Sequence, residues 1–141
     1  MSVFTDAEIA YMNEHTLCRI ATVGRDGQPH ITPVTYRFNP DQDAIDVGGI
    51  FFGRTKKWRD AQANPKVTVL VDDVLQNPRR ARALEIRGVA ELHETGGSQI
   101  NPRFPNFDEH FIRIRPKRIV AWGLEEPATG QGFQMNARLV G

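Results

Sequence analysis

The segment Gly53-Arg54-Thr55-Lys56-Lys57-Trp58-Arg59 puts four cations into the six residues from Arg54 to Arg59, where a short helix is expected to begin. That is the wrong end of a helix for positive charge. Aligned peptide dipoles and unbonded amides already make an amino terminus positive, so each exposed cation there costs roughly 0.3–1 kcal/mol. A bound phosphate or carboxylate reverses the sign of all these terms. Thr55 is placed either to cap the helix or to donate its hydroxyl to the same anion. Gly53 removes a side chain and lets backbone come close to a ligand. The plain alternative is a solvated basic face on a short surface helix, and the misplaced sign at the helix start weighs against it.

Gly48 to Thr55 also has the spacing of a nucleotide phosphate loop, after a strand and before a helix, with Arg54 where lysine belongs. Arginine is not equivalent to the point charge that such a loop uses. The repeated parallel strand–helix units of that fold are missing too, so nucleotide hydrolysis is not the expectation. His15, His30, His93 and His110 have no metal-ligand spacing, and no metal site is expected. Cys18 is the sole cysteine, which excludes an intrachain disulfide and a thiolate cage.

The elements that must hold this segment read mainly as strands. Thr5-Asp6-Ala7-Glu8 is a capping box flanked by Phe4 and Ile9 at the staple positions. It predicts a helix over 6–15 that buries Ile9 and Met12. Strands are expected over 17–23 and 30–38, joined by the hairpin signal Asp26-Gly27. Pro33 argues that the second lies at an edge or where the ladder is broken. A third strand covers 44–48. The basic helix runs over 55–63 and stops before Pro65. A strand over 66–72, a polar loop over 73–80 and a long strand over 82–93 follow. Residues 94–105 read as loop. Residues 111–124 form either a strand pair or one bent strand, broken at Pro116. The last residues are weakly patterned and read as an ordered arm or a frayed end. About six strands and two short helices predict a meandering antiparallel barrel, with one domain over 1–125 and a tail over 126–141.

Composition agrees. The chain has 141 residues, 40% hydrophobic and 25% charged, which suits one domain with an ordinary core. A net charge of +1 gives no global reason to expect nucleic acid or a membrane surface, so any anion site is local. No apolar stretch is long enough to span a bilayer. The opening residues run straight into the first helix pattern without the look of a signal peptide. A cytoplasmic setting is the expectation.

Thr55-Lys56-Lys57, then Asn64-Pro65 and a strand ending in Asp72-Asp73, resembles the pyridoxamine 5'-phosphate oxidase-like split-barrel superfamily. A wider set of matching pieces is similar to its branch of small proteins that use the deazaflavin F420. These are Arg19 to Gly24, Gly27 to His30, Arg54 to Asp60, Val71 to Asp73 and Ile114 to Leu124. The resemblance spans roughly residues 4–125. It implies a six-stranded antiparallel split barrel and a homodimer with two cofactor sites at its interface. It also implies that Thr55, Lys56 and Lys57 bind the cofactor phosphate with Arg54 beside them, and that Thr32, Pro33, Val34 and Thr35 lie along the ring system.

The flavin-binding members carry an Arg and a Lys five apart on that strand; this chain has Thr32 and Arg37 there. One phosphate cation is therefore missing, which favours F420 over FMN and argues against pyridoxamine phosphate as substrate. The expected function is an F420-dependent oxidoreductase passing a hydride to a small organic acceptor. The alternative is an FMN- or haem-binding carrier or sensor without turnover. No catalytic acid is evident. Tyr36 and His30 lie on the strand near the proposed ring site and are candidate proton donors; the favoured alternative is that Tyr36 packs and His30 faces solvent. Arg79, Arg80, Arg82 and Arg87 form a second cationic cluster that could meet the anionic F420 tail or simply be solvated. Trp122 reads as core, or as a cover on the cofactor across the dimer.

Overall fold

In the computed structural model, residues 1–125 and 135–141 are described. The first helix, α1 (Asp6–Asn13), starts on the full capping box: Thr5 Oγ1 accepts from the Glu8 N–H, and Glu8 reaches back to the Thr5 N–H at 3.0 Å. It ends two residues before His15. Met12 is buried as expected, but Tyr11 and Glu8 are buried with it, while Ile9 is only half-covered.

The strands are β1 (Leu17–Val23), β2 (Pro29–Asn39), β3 (Ala44–Gly48), β4 (Lys66–Leu75), β5 (Arg80–His93), β6 (Phe111–Trp122) and β7 (Met135–Leu139). Their order is β3-β2-β1-β4-β5-β6-β7, and β3 also pairs with β6. Six antiparallel strands therefore close into a barrel, with β7 added outside it on β6. The order is not a simple meander: β1 lies between β2 and β4, so the link from β3 to β4 must cross an end of the barrel. The helix α2 (Lys56–Ala63) lies in that link. Closure is made by Ile45, Asp46 and Val47 opposite Ile114, Arg113 and Ile112. Asp46 is buried and accepts from Arg113 Nε at 2.8 Å and Asn39 Nδ2 at 3.0 Å, so the seam carries a satisfied ion pair. Ile20, Ile45, Val47, Leu84, Ile86, Ile112, Ile114 and Ile119 fill the interior.

Two expectations change. Half of the polar stretch 73–80 is strand, because Asp73 sits opposite Arg82 in the ladder and the two side chains bond each other across it. Only the turn between Leu75 and Arg80 remains. Residues 111–122 form one bent strand, as Gly88 pairs with Pro116 and Arg87 with Arg118, leaving Lys117 as the extra residue of a bulge. A Cβ on Gly88 would run into the Arg115 carbonyl oxygen, which explains a glycine inside a long strand. Of the tail, residues 135–139 form β7, and Arg138 bonds buried Glu8 at 2.6 and 2.9 Å.

Candidate functional site

The basic segment is shaped from both ends. β3 stops at Gly48, opposite Thr35 of β2. The chain then leaves the ladder through Phe51, a short 3-10 turn over Phe52–Arg54, and the cap residue Thr55. Because β3 covers only residues 35–39 of β2, residues 29–34 have β1 as their single neighbour. Pro33 lies in that edge stretch, as its chemistry demands.

The four cations of the segment have different fates. Lys56 Nζ bonds Asp60 Oδ1 at 3.0 Å, one turn along the helix. Asp60 is buried and also accepts from Thr22 Oγ1 at 2.9 Å, which fastens α2 to β1. Burial pushes the Asp60 carboxyl up, but the bonds from Lys56 and Thr22 outweigh it and hold it below the usual range. Arg59 turns back to the Arg54 carbonyl at 3.0 Å. Arg54 is exposed, with its guanidinium 5.4 Å from the centre of the Phe51 ring. Lys57 is half-buried over the Phe52 ring, 5.5 Å from its centre, and has no anionic partner among the described residues. Burial alone lowers its pKa. It is a partly desolvated ammonium beside the helix start, where the Lys56 and Lys57 amides have no bond among the described residues either.

Thr55 is the helix cap: its oxygen accepts from the Trp58 N–H at 3.4 Å and its hydroxyl donates to the Phe52 carbonyl at 2.7 Å. Its proton is therefore already engaged. On β2, Val34 gives its side chain to the core, while Pro33 is exposed and Thr35 is half-covered. Thr32 Oγ1 is buried without a hydrogen-bond partner. Arg37 reaches to 3.9 Å from Asp46, so its charge leans on the barrel seam. Tyr36 is core: its hydroxyl donates to the Met12 carbonyl at 2.6 Å, and burial drives its pKa far up. It is no proton donor. His30 is half-buried on the edge stretch.

Asp108 and His110 could not be found from the sequence, because they lie in an unpatterned loop. Asp108 accepts from the Gly53 N–H at 2.9 Å, and its own N–H donates to the Gly49 carbonyl at 2.9 Å. His110 packs edge-on to Trp58 and fills the space beside Gly53, where a Cβ would lie 2.9 Å from its ring. The missing side chain at Gly53 thus makes room for His110.

The Gly53 N–H holds the Asp108 carboxyl down to about 2, against burial and with help from His110. A carboxyl held below its ordinary 3.8 contributes stability that is complete above that pH and is lost as pH falls towards about 2. The stability gap between the wild type and Asp108→Asn is expected to shrink over that window in urea unfolding at stepped pH.

The second cationic cluster does not form one surface. Arg82 turns inward to Asp73, at 2.5 and 2.9 Å, and stacks on Tyr11, while Arg87 pairs with Glu85 on the opposite face of β5. Trp122 is half-buried at the other end of β6 from the Asp108 loop. No group of three or more His, Cys, Asp or Glu among the described residues is placed to hold a metal.

A family model described as pyridoxamine 5'-phosphate oxidase matches residues 4–123. A 5a,11a-dehydrotetracycline/5a,11a-dehydrooxytetracycline reductase of Streptomyces rimosus is 39% identical over 123 residues, covering 86% of this chain and 84% of that one. A conserved hypothetical protein of Mycobacterium tuberculosis superposes with a TM-score of 0.64 at 20% identity, covering 84% of each chain. An FAD-binding protein of Mesorhizobium loti gives 0.64 at 19% identity, covering 84% of this chain and 94% of that one. The two structural likenesses bear on the fold alone.

Proposed function

The chain belongs to the pyridoxamine 5'-phosphate oxidase family, and from that premise we propose that it is an oxidoreductase using the deazaflavin F420 to reduce a small organic acceptor. The observation that carries the cofactor's place is Lys57: a half-buried ammonium with no anion of its own, beside two free helix amides. An anion there is stabilised by charge, by hydrogen bonds and by the helix dipole at once. Arg54 adds an exposed cation. The orphaned Thr32 Oγ1 on the edge stretch is a polar atom in want of a partner, and it fits a ring system with polar edges lying along β2.

Bound there, the deazaflavin supplies the hydride. The chain's part is to hold it: Lys57 and the amides of Lys56 and Lys57 take the phosphate, and Thr55 keeps those amides in place. Lys56 acts chiefly through Asp60, as a brace between α2 and β1. The backbone from Thr32 to Thr35 orients the ring. The reductase activity named for the Streptomyces relative supports a conjugated organic acceptor. A second copy of the chain completes the site in our reading, seated on the outer face where Leu17 and Ile31 are exposed. No helix among the described residues is long and apolar enough to cross a membrane, and we place the protein in the cytoplasm.

Thr32 stands where FMN-binding members carry a phosphate cation, so F420 is expected to bind the purified protein more tightly than FMN or haem. Fluorescence and absorbance titrations with the three decide it. Preference for FMN or haem overturns the cofactor assignment. Tight F420 binding with no oxidation of its reduced form by conjugated acceptors makes the protein a carrier.

A further inference from the structure

Phe51 is out of place as a structural residue. Its backbone is left-handed, with φ 53° and ψ 34°, a region that bulky side chains avoid. Its side chain is no part of the core, since the residue is 65% exposed. It therefore costs the fold twice, in backbone conformation and in apolar surface left in water. The conformation is nonetheless firmly held. The Arg54 N–H bonds the Phe51 carbonyl at 2.9 Å, and Asp108 staples Gly49 on one side and Gly53 on the other.

The stapling loop carries two more rings. Phe104 and Phe107 lie parallel, 9° apart in plane with centres 5.4 Å apart. Phe104 is 45% exposed, and Phe107 borders the space beside Gly48, where β3 departs. The loop that carries this pair is thus tied to the residues on either side of Phe51, and the Arg54 guanidinium lies over the Phe51 ring.

We propose that Phe51, Phe104 and Phe107 form a lip that stacks the acceptor, and that the acceptor class is a flat conjugated ring system bearing anionic or enolic oxygens. Ring faces at this lip favour a planar π-system, and Arg54 favours negative charge at its edge. A saturated anion gains only the second term, and a neutral aliphatic gains neither. This rests on the oxidoreductase reading above for its purpose, but not for its measurement.

The test is calorimetric titration of the cofactor-free protein with anthraquinone-2-carboxylate, using cyclohexanecarboxylate as a non-planar anion of the same charge. The planar probe is expected to bind at least tenfold more tightly. Phe51→Gly relieves the left-handed backbone and so is expected to keep or raise the melting temperature. It should nonetheless weaken the planar probe at least fivefold while leaving F420 affinity within twofold. Phe104→Ala should weaken the probe likewise. The lip is overturned if the wild type does not discriminate between the probes, if neither variant alters probe binding, or if Phe51→Gly lowers F420 affinity instead. Failure of F420 to bind, with the planar probe still discriminated, overturns the cofactor reading and leaves the lip standing.

Discussion

Lys57→Ala is expected to weaken F420 binding by about ten- to a hundredfold, which is the size of one or two charge-assisted hydrogen bonds at about 1.4 kcal/mol per decade. The size follows from what Lys57 lacks. Lys56, its neighbour, is already bonded to Asp60 at 3.0 Å, so its charge is largely spent within the protein. Arg59 is turned to a backbone carbonyl. Of these cations Lys57 is the half-buried one without an anion among the described residues, and in our proposal its charge is available to a ligand. Lys56→Ala should therefore act mostly on stability, by loosening Asp60 from its cation. Comparing the two variants by fluorescence titration with F420 and by urea unfolding separates the roles. An unchanged dissociation constant in Lys57→Ala removes the helix start from the site.

Arg138→Ala is expected to cost about 3–5 kcal/mol of folding stability, because it strands a buried carboxylate. Glu8 is 2% exposed, and its charge is answered by Arg138 at 2.6 and 2.9 Å and by the Thr5 N–H at 3.0 Å. Arg138 also donates to the Val3 carbonyl at 2.7 Å, so one side chain joins the last strand to the first turn of the chain. Removing the guanidinium leaves Glu8 with the amide alone. The double variant Glu8→Gln with Arg138→Met should recover most of the loss, since neither buried charge remains. Urea denaturation of the three proteins checks this. A loss below about 1 kcal/mol in Arg138→Ala would put the pair in the class of exposed ion pairs.

These two pairs show where reading the chain succeeds and where it stops. The capping box, the hairpin at Asp26-Gly27 and the helix stop before Pro65 are local chemistry, and all were legible because each depends on a few adjacent residues. The edge position of Pro33 was legible for the same reason. The continuation of β4 past Asp73 was not, because what makes an aspartate acceptable in that strand is an arginine nine residues away across the ladder. The burial of Glu8 was hidden further still, since its partner lies 130 residues along the chain.

The sequence by itself determined that positive charge is concentrated where the basic helix begins: four cations at the positive end of a dipole are a local electrostatic fact, visible without coordinates. Only the tertiary structure decided which of them already has a partner within the protein. Lys56 is claimed by Asp60, which Thr22 of β1 holds in place, and Gly53 is claimed by Asp108 and His110 from the far loop. Those claims arise from contacts between distant segments, and such contacts exist only once the barrel has closed through Asp46 and Arg113.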